Sequence, residues 1–136
     1  MTELIPIKLN KFIQSRVHTA IILGTDVKKF TIYTEPQVGK DLQIYLLNEH
    51  KPRPSPHDLI QRILDGYNIT PLQVVIYDVH DTVYFAKLFL ETDKDGQKTI
   101  LELDARPSDC ILLSILQKIP LYCKKEVLDK VSNFED

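Results

Sequence analysis

In the first third of the chain, apolar residues alternate with polar ones or form short runs that end at turn-forming residues. The segment LIPIKLNKFI alternates roughly in this way, and the run HTAIIL ends at Gly24. A third segment, KKFTIYT, has the length and the aromatic and β-branched composition of a strand. The pattern predicts three β-strands, at residues 4–13, 18–23 and 28–34.

The spacing of apolar residues then changes to that of a helix. Val38, Leu42, Tyr45 and Leu46 fall on one helical face, and Pro36 suits the first turn. The proline-rich segment KPRPSP follows and is incompatible with a continued helix. The pattern therefore predicts a helix that begins near residue 36 and ends before this segment.

A second helix is predicted from its capping residues. Ser55 suits the N-cap, Pro56 the first helical position and Asp58 the third, which is a capping box with Asp in place of Glu. Gly66 marks the end of this helix. Its predicted apolar face consists of Leu59, Ile60, Ile63 and Leu64.

Strand patterns return in the second half of the chain. PLQVVIYDVH and TVYFAKLFLE form a predicted hairpin around His80, Asp81 and Thr82, and DKDGQ is the next predicted turn. The remaining predicted elements are a strand at 98–104, a helix at 107–118, a strand at 119–123 and a polar helix at 124–131. Strands in runs and helices in a separate group indicate an α+β fold.

Composition narrows the class of protein. The chain has 136 residues, of which 43% are hydrophobic and 26% charged, so we expect residues 1–136 to form a single domain. The formal net charge of −2 means that nucleic acid must be bound through a local basic patch. No apolar run reaches the roughly 20 residues that span a bilayer. We expect a cytoplasmic protein without a membrane segment, in which Cys110 and Cys123 are buried apolar residues.

The segment DARPSDCILLSILQKIP places three charged residues beside a predicted buried helix. Arg106 is expected to pair with Asp104 or Asp109, which would fasten the helix to the preceding strand. On that interpretation Arg106→Ala should destabilise the fold by roughly 2–4 kcal/mol. The alternative is chemical, because acids at such a junction suit a divalent ion such as Mg²⁺ or Mn²⁺ and an arginine suits a phosphate. Spacing alone leaves both interpretations open.

A basic cluster surrounds the start of the second helix. His50, Lys51, Arg53 and His57 lie within eight positions, where the free N–H groups of a helix N-terminus attract anions. The cluster is a candidate nucleic-acid-binding site. Capping and ordinary exposure of a polar loop explain the same residues without any ligand.

The segments PRPSPHDLIQRIL, VYFAKLFLE and LDARPSDCILLSILQKIPLY together resemble the bifunctional nuclease domain family, over about residues 4–131. The resemblance rests on a PRP-x-x-HD loop, an aromatic-plus-alanine strand and an RPSD junction before an apolar helix. It implies a mixed or antiparallel central sheet with helices packed against it, a nuclease acting on DNA and RNA, and a homo-oligomer. The family-motif residues carried over as candidate catalytic residues are Asp104, Arg106, Asp109, His57 and Asp58.

One position departs from the family pattern. The family carries a Glu soon after its third strand, where this chain has Val38, and Glu35 is expected to face elsewhere. The leading hypothesis is a nuclease of broad specificity in which Asp104 and Asp109 supply carboxylates, Arg53 or Arg106 a cation, and His57 an acid or base. The alternative is a weak or inactive member that serves as a binding or oligomerisation module. The apolar hairpin at 74–90 predicts an oligomer in either case.

Overall fold

The computed structural model describes residues 3–133, which form seven strands and four helices. The strands are β1 (Leu4–Gln14), β2 (Thr19–Gly24), β3 (Lys29–Thr34), β4 (Ile69–His80), β5 (Val83–Lys94), β6 (Gln97–Ala105) and β7 (Leu121–Lys124). The helices are α1 (Pro36–Leu47), α2 (Pro56–Gly66), α3 (Pro107–Gln117) and α4 (Lys125–Lys130). Each predicted strand and helix is present, with ends that differ by a few residues.

The seven strands make one sheet in the order β3-β2-β1-β7-β4-β5-β6. Neighbouring strands are antiparallel except β4 and β7, which are parallel because the chain crosses over through α3 before it enters β7. The predicted α+β class and mixed sheet are confirmed. Among the described residues, no helix is long and apolar enough to cross a membrane.

Helix α3 is the central helix of the core. Its residues Cys110, Ile111 and Leu112 are completely buried, and it packs against α1, α2, β4 and β5. Burial raises the pKa of Cys110 to about 12, and burial likewise raises the pKa of Cys123 to about 12. Both cysteines are free thiols, as expected for small buried apolar residues.

Helix α1 approaches the sheet closely at a glycine. The N–H of Gly39 donates a hydrogen bond of 3.1 Å to Thr19 Oγ1 on β2. A Cβ on Gly39 would lie 2.6 Å from that oxygen and 2.7 Å from Gln14 Cγ. The absence of a side chain therefore sets the distance between α1 and the sheet, which in turn positions the start of α1 beside α3.

Two elements expose more apolar surface than the sequence pattern predicts. The face of α2 buries Leu64, but Leu59, Ile60 and Ile63 stay 57%, 37% and 48% exposed. Strand β6 is exposed along nearly its whole length. By contrast, the hairpin of β4 and β5 buries its inward residues, so it is not the source of surplus apolar surface.

Candidate functional site

Arg106 is the N-cap of α3 and forms an ion pair with Glu35, the N-cap of α1. Its Nη2 donates to Glu35 Oε2 at 2.6 Å and Oε1 at 2.8 Å, and also to Ser108 Oγ at 3.0 Å. The expected pairing of Arg106 with Asp104 or Asp109 is wrong. Glu35 does face away from the position of Val38, which is buried in the core, but the direction it takes is toward Arg106. The pair instead joins the N-termini of α1 and α3.

The Glu35–Arg106 pair lies at the surface, where the two side chains are 49% and 59% exposed. A hydrogen bond from its own backbone N–H lowers the pKa of Glu35, and the Arg106 side chain lowers it further. The Glu35 hydrogen bond raises the pKa of Arg106, with a smaller contribution from the charge of Asp109. Arg106 is therefore an exposed cation under the influence of two carboxylates.

His57 and Asp109 form a second contact between helices. His57 Nε2 lies 2.9 Å from Asp109 Oδ1, which links the first turn of α2 to the first turn of α3. The His57 side chain is 11% exposed and that of Asp109 is 42% exposed. His57 Nδ1 is also buried and has no hydrogen-bond partner in residues 3–133. Solvent therefore reaches the carboxylate of this pair more readily than the imidazole.

Asp104 is separate from these contacts. It lies on β6 directly opposite Lys87 of β5, whose neighbours Ala86 and Leu88 point into the core. Because side chains alternate along a strand, Asp104 projects from the face of the sheet opposite to the core. There it accepts a hydrogen bond of 2.7 Å from Tyr77 Oη, which raises the pKa of Tyr77.

Asp58 caps its own helix. Its Oδ2 accepts from the Ser55 backbone N–H at 2.7 Å, and Ser55 Oγ accepts from the Asp58 N–H, which completes the predicted capping box. Lys51 forms an ion pair with Asp58 and lies 4.4 Å above the centre of the Tyr45 ring. Burial opposes ionisation of Asp58, but the hydrogen bonds from Lys51 and Ser55 prevail and lower its pKa. These contacts give Asp58 and Lys51 a structural role in capping α2 and pairing with each other.

The predicted basic cluster is thus divided. His50 and Arg53 are exposed, whereas Lys51 contacts Asp58 and His57 contacts Asp109. Two of its four members have carboxylate partners within the fold. The cluster presents less free positive charge than its sequence density suggests.

A shallow cavity of about 320 Å³ opens beside Arg106. Its lining includes Tyr33 and Thr34 at the end of β3, Val83 at the start of β5 and Ser108 of α3.

Within residues 3–133 no three His, Cys, Asp or Glu side chains are grouped so as to hold a metal ion. The described residues therefore offer no preformed set of ligands for Mg²⁺ or Mn²⁺.

The comparison with known families decides the identity of the domain. The sequence model of the bifunctional nuclease domain matches residues 21–136. The chain belongs to the bifunctional nuclease domain family. The predicted resemblance is confirmed over most of the chain.

Two curated relatives are similar to part of this bifunctional nuclease domain. Both are described as uncharacterized proteins of Mycobacterium tuberculosis, one from strain CDC 1551 / Oshkosh and one from strain H37Rv. Each is 27% identical over 77 residues, which is 57% of this chain. The alignment spans 43% of the length of these relatives.

In this bifunctional nuclease domain, the family-motif residues occupy three separate places. Arg106 and Asp109 lie together at the start of α3, with His57 behind Asp109, while Asp58 and Asp104 have other partners. Val38, where the resemblance predicts a Glu, is 4% exposed and packs in the core. Sequence reasoning noted Glu35 but missed it as the partner of Arg106. No local signal in the sequence marks it as the partner of Arg106, since the contact arises only because β3 ends beside α3.

Proposed function

We propose that this protein is a nuclease that hydrolyses phosphodiester bonds in DNA and RNA. The observation that carries the proposal is the position of Arg106, exposed at the N-terminus of α3 and adjacent to the carboxylates of Glu35 and Asp109. Membership of a family named for nuclease activity supports the same conclusion. A cation at a helix N-terminus is suited to a phosphate, and a nearby carboxylate is suited to activate water.

In this proposal Arg106 binds a non-bridging oxygen of the scissile phosphate and stabilises the charge that develops in the transition state. Glu35 keeps the guanidinium aligned through its hydrogen bonds to Nη2. Asp109, the more exposed member of its pair, accepts the proton of the attacking water. The water oxygen bonds to phosphorus as the P–O bond to the leaving nucleotide breaks, and the leaving oxygen takes a proton from solvent. His57 is a positioning residue that fixes the Asp109 carboxylate, which revises the acid or base role predicted for it.

The proposal also covers the domain organisation, location, oligomeric state and nucleic-acid binding of the enzyme. Residues 1–136 would act as one domain in the cytoplasm, and the protein would form a homo-oligomer. Exposed His50 and Arg53 would add non-specific attraction to the phosphate backbone, which weakens as salt rises. Phosphate contacts of this kind favour no base sequence, consistent with action on both DNA and RNA.

A second candidate function is a binding or oligomerisation module without catalysis. It is favoured by the burial of Val38 where the resemblance predicts a Glu, and by the burial of His57 Nδ1. Neither residue offers a catalytic group to a substrate. On this alternative, the Glu35–Arg106 and His57–Asp109 contacts hold the helices together and do nothing further.

A hydrolysis assay on single- and double-stranded DNA and RNA tests the proposal, with Mg²⁺, with Mn²⁺ and with chelator. We expect Asp109→Asn to lower the rate by about 100-fold or more, the usual contribution of a general base. Arg106→Ala should lower it comparably. The matched controls are Asp65→Asn and Arg62→Ala, which change exposed residues of the same types on α2.

The results separate the two candidates. Equal rates for the parent, Asp109→Asn and Arg106→Ala would trace the activity to a contaminating nuclease or to another site. Binding of nucleic acid at low salt without hydrolysis under any metal condition would support the binding module. Loss of activity in the two site variants with full activity in the two controls would support the nuclease.

A further inference from the structure

Strand β6 forms one edge of the sheet and lacks a partner on its outer side. Its nine residues pair with β5 in an unbroken antiparallel register from Gln97 to Ala105. No other strand in the described part of the chain adjoins it. Its outward backbone N–H and C=O groups are therefore available to another strand.

Strand β6 exposes three large apolar side chains at this edge. Ile100 is 51% exposed, Leu101 is 50% exposed and Leu103 is 39% exposed. Leu101 and Leu103 lie opposite Leu90 and Leu88 of β5, which are both buried. The two leucines thus lie on the core-facing side of the sheet, but no helix within residues 3–133 covers them.

The edge lacks two of the features that commonly prevent strand pairing. β6 contains no proline, and its register with β5 shows no bulge. Natural edge strands are commonly protected by such features, by short length or by a covering segment. β6 does carry the charged residues Lys98, Glu102 and Asp104, which oppose pairing with many strands but allow it with a strand of complementary charge. A nine-residue exposed edge of this kind can pair with another chain.

We propose that β6 pairs with β6 of a second copy of this chain, antiparallel and centred on Leu101. Leu101 is the midpoint of the strand, so this register pairs every residue from Gln97 to Ala105. On one face Leu101 would contact its own copy and Thr99 would lie opposite Leu103. On the other face Lys98 would lie opposite Asp104 of the second copy, and symmetry would repeat that opposite-charge pair.

Neighbouring registers are less favourable. A centre on Ile100 leaves Asp104 and Ala105 unpaired. A centre on Glu102 places two carboxylates opposite each other, and a centre on Leu103 places Glu102 opposite Asp104. Like charges directly opposite each other destabilise a strand pair. The sequence of β6 therefore favours self-pairing at Leu101.

The proposal of this interface rests on the homo-oligomer named under the proposed function, but it does not depend on whether the protein hydrolyses nucleic acid. Its test is the oligomeric state measured by light scattering over a dilution series, with circular dichroism to show that each variant is folded. We expect the parent to be a dimer. Lys98→Glu and Asp104→Lys should each raise the dissociation constant by about tenfold, since each turns two attractive pairs into repulsive ones.

The double variant Lys98→Glu, Asp104→Lys should restore the dimer, because the charges are exchanged and remain complementary. Leu101→Asp should give a folded monomer. The control is Ile63→Asp, which places the same charge on the exposed apolar face of α2 and should leave the dimer intact.

Each outcome bears on the proposal. Charge reversals that weaken the dimer, with rescue by the double variant, support it. A dimer unaffected by Leu101→Asp but dissociated by Ile63→Asp would overturn it in favour of an α2 interface. A parent that is monomeric at micromolar concentration would overturn both this interface and the homo-oligomer. Absence of hydrolysis would bear on the nuclease alone.

Discussion

Arg106 and Glu35 lie 71 residues apart in the chain, and their Nη2 and Oε2 atoms are 2.6 Å apart. Glu35 precedes α1 and Arg106 precedes α3, so the contact brings two helix N-termini together. Both residues are followed directly by proline, which fixes the backbone at the first helical position. The two side chains therefore project from well-defined backbone positions at the same surface.

The exposure of this pair changes the expected effect of Arg106→Ala on stability. Because both side chains are about half exposed, the free energy of unfolding should fall by roughly 0–1 kcal/mol rather than the larger value inferred from sequence. Urea unfolding of the parent and variant measures this difference. A loss above about 3 kcal/mol would mean that the pair is part of the buried framework.

His57→Ala should have a larger effect on stability, because His57 is buried and links α2 to α3. We expect the free energy of unfolding to fall by roughly 1–3 kcal/mol, from the lost hydrogen bond and the space left behind. His80→Ala is the control, since His80 is an exposed histidine that also contacts an aspartate. Equal denaturation midpoints for the two variants would contradict the structural role of His57.

Gly39→Ala should destabilise the protein, because the new Cβ would lie 2.6 Å from Thr19 Oγ1 and 2.7 Å from Gln14 Cγ. Overpacking of this kind usually costs about 1–3 kcal/mol. Gly66→Ala is the matched control, since nothing lies within 4 Å of the added atom at the end of α2. Differential scanning calorimetry should show a lower melting temperature for Gly39→Ala and no loss for Gly66→Ala. The reverse order would refute the close approach of α1 to β2.

Asp58 should make stability sensitive to acid. Its folded pKa is lower than the unfolded value of 3.8, so the ionised form stabilises the fold above that value. This contribution disappears as the pH falls through the lower folded pKa. Unfolding free energies of the parent and of Asp58→Asn, measured from pH 6 to pH 2, should converge at the acid end. A difference in unfolding free energy that stays constant across that range would show that the charge of Asp58 does not contribute to stability.

The elements of the fold could be predicted from sequence because their signals are local. Ser55, Pro56 and Asp58 lie within four positions, and their capping box forms as predicted. The Glu35–Arg106 contact could not be predicted in the same way, because it depends on where β3 ends relative to α3 in space. Spacing alone suggested the nearer acids, Asp104 and Asp109, as partners of Arg106.

The apolar face of α2 shows a second limit of sequence patterns. Leu59, Ile60 and Ile63 have helical spacing, which predicts a face but not whether the molecule covers it. Here only Leu64 of that face is buried. For the same reason, the pattern of β4 and β5 identified two strands correctly but placed the surplus apolar surface on the wrong element.

The two sulfhydryl groups give this molecule a built-in chemical reporter. Cys110 and Cys123 have no side-chain exposure and pKa values raised to about 12, so at neutral pH they are protonated and shielded. An alkylating reagent attacks the thiolate, which forms in quantity only after these residues reach water. Because one thiol lies in α3 and the other in β7, the rate of modification would time the opening of the molecule at its centre, without any introduced label.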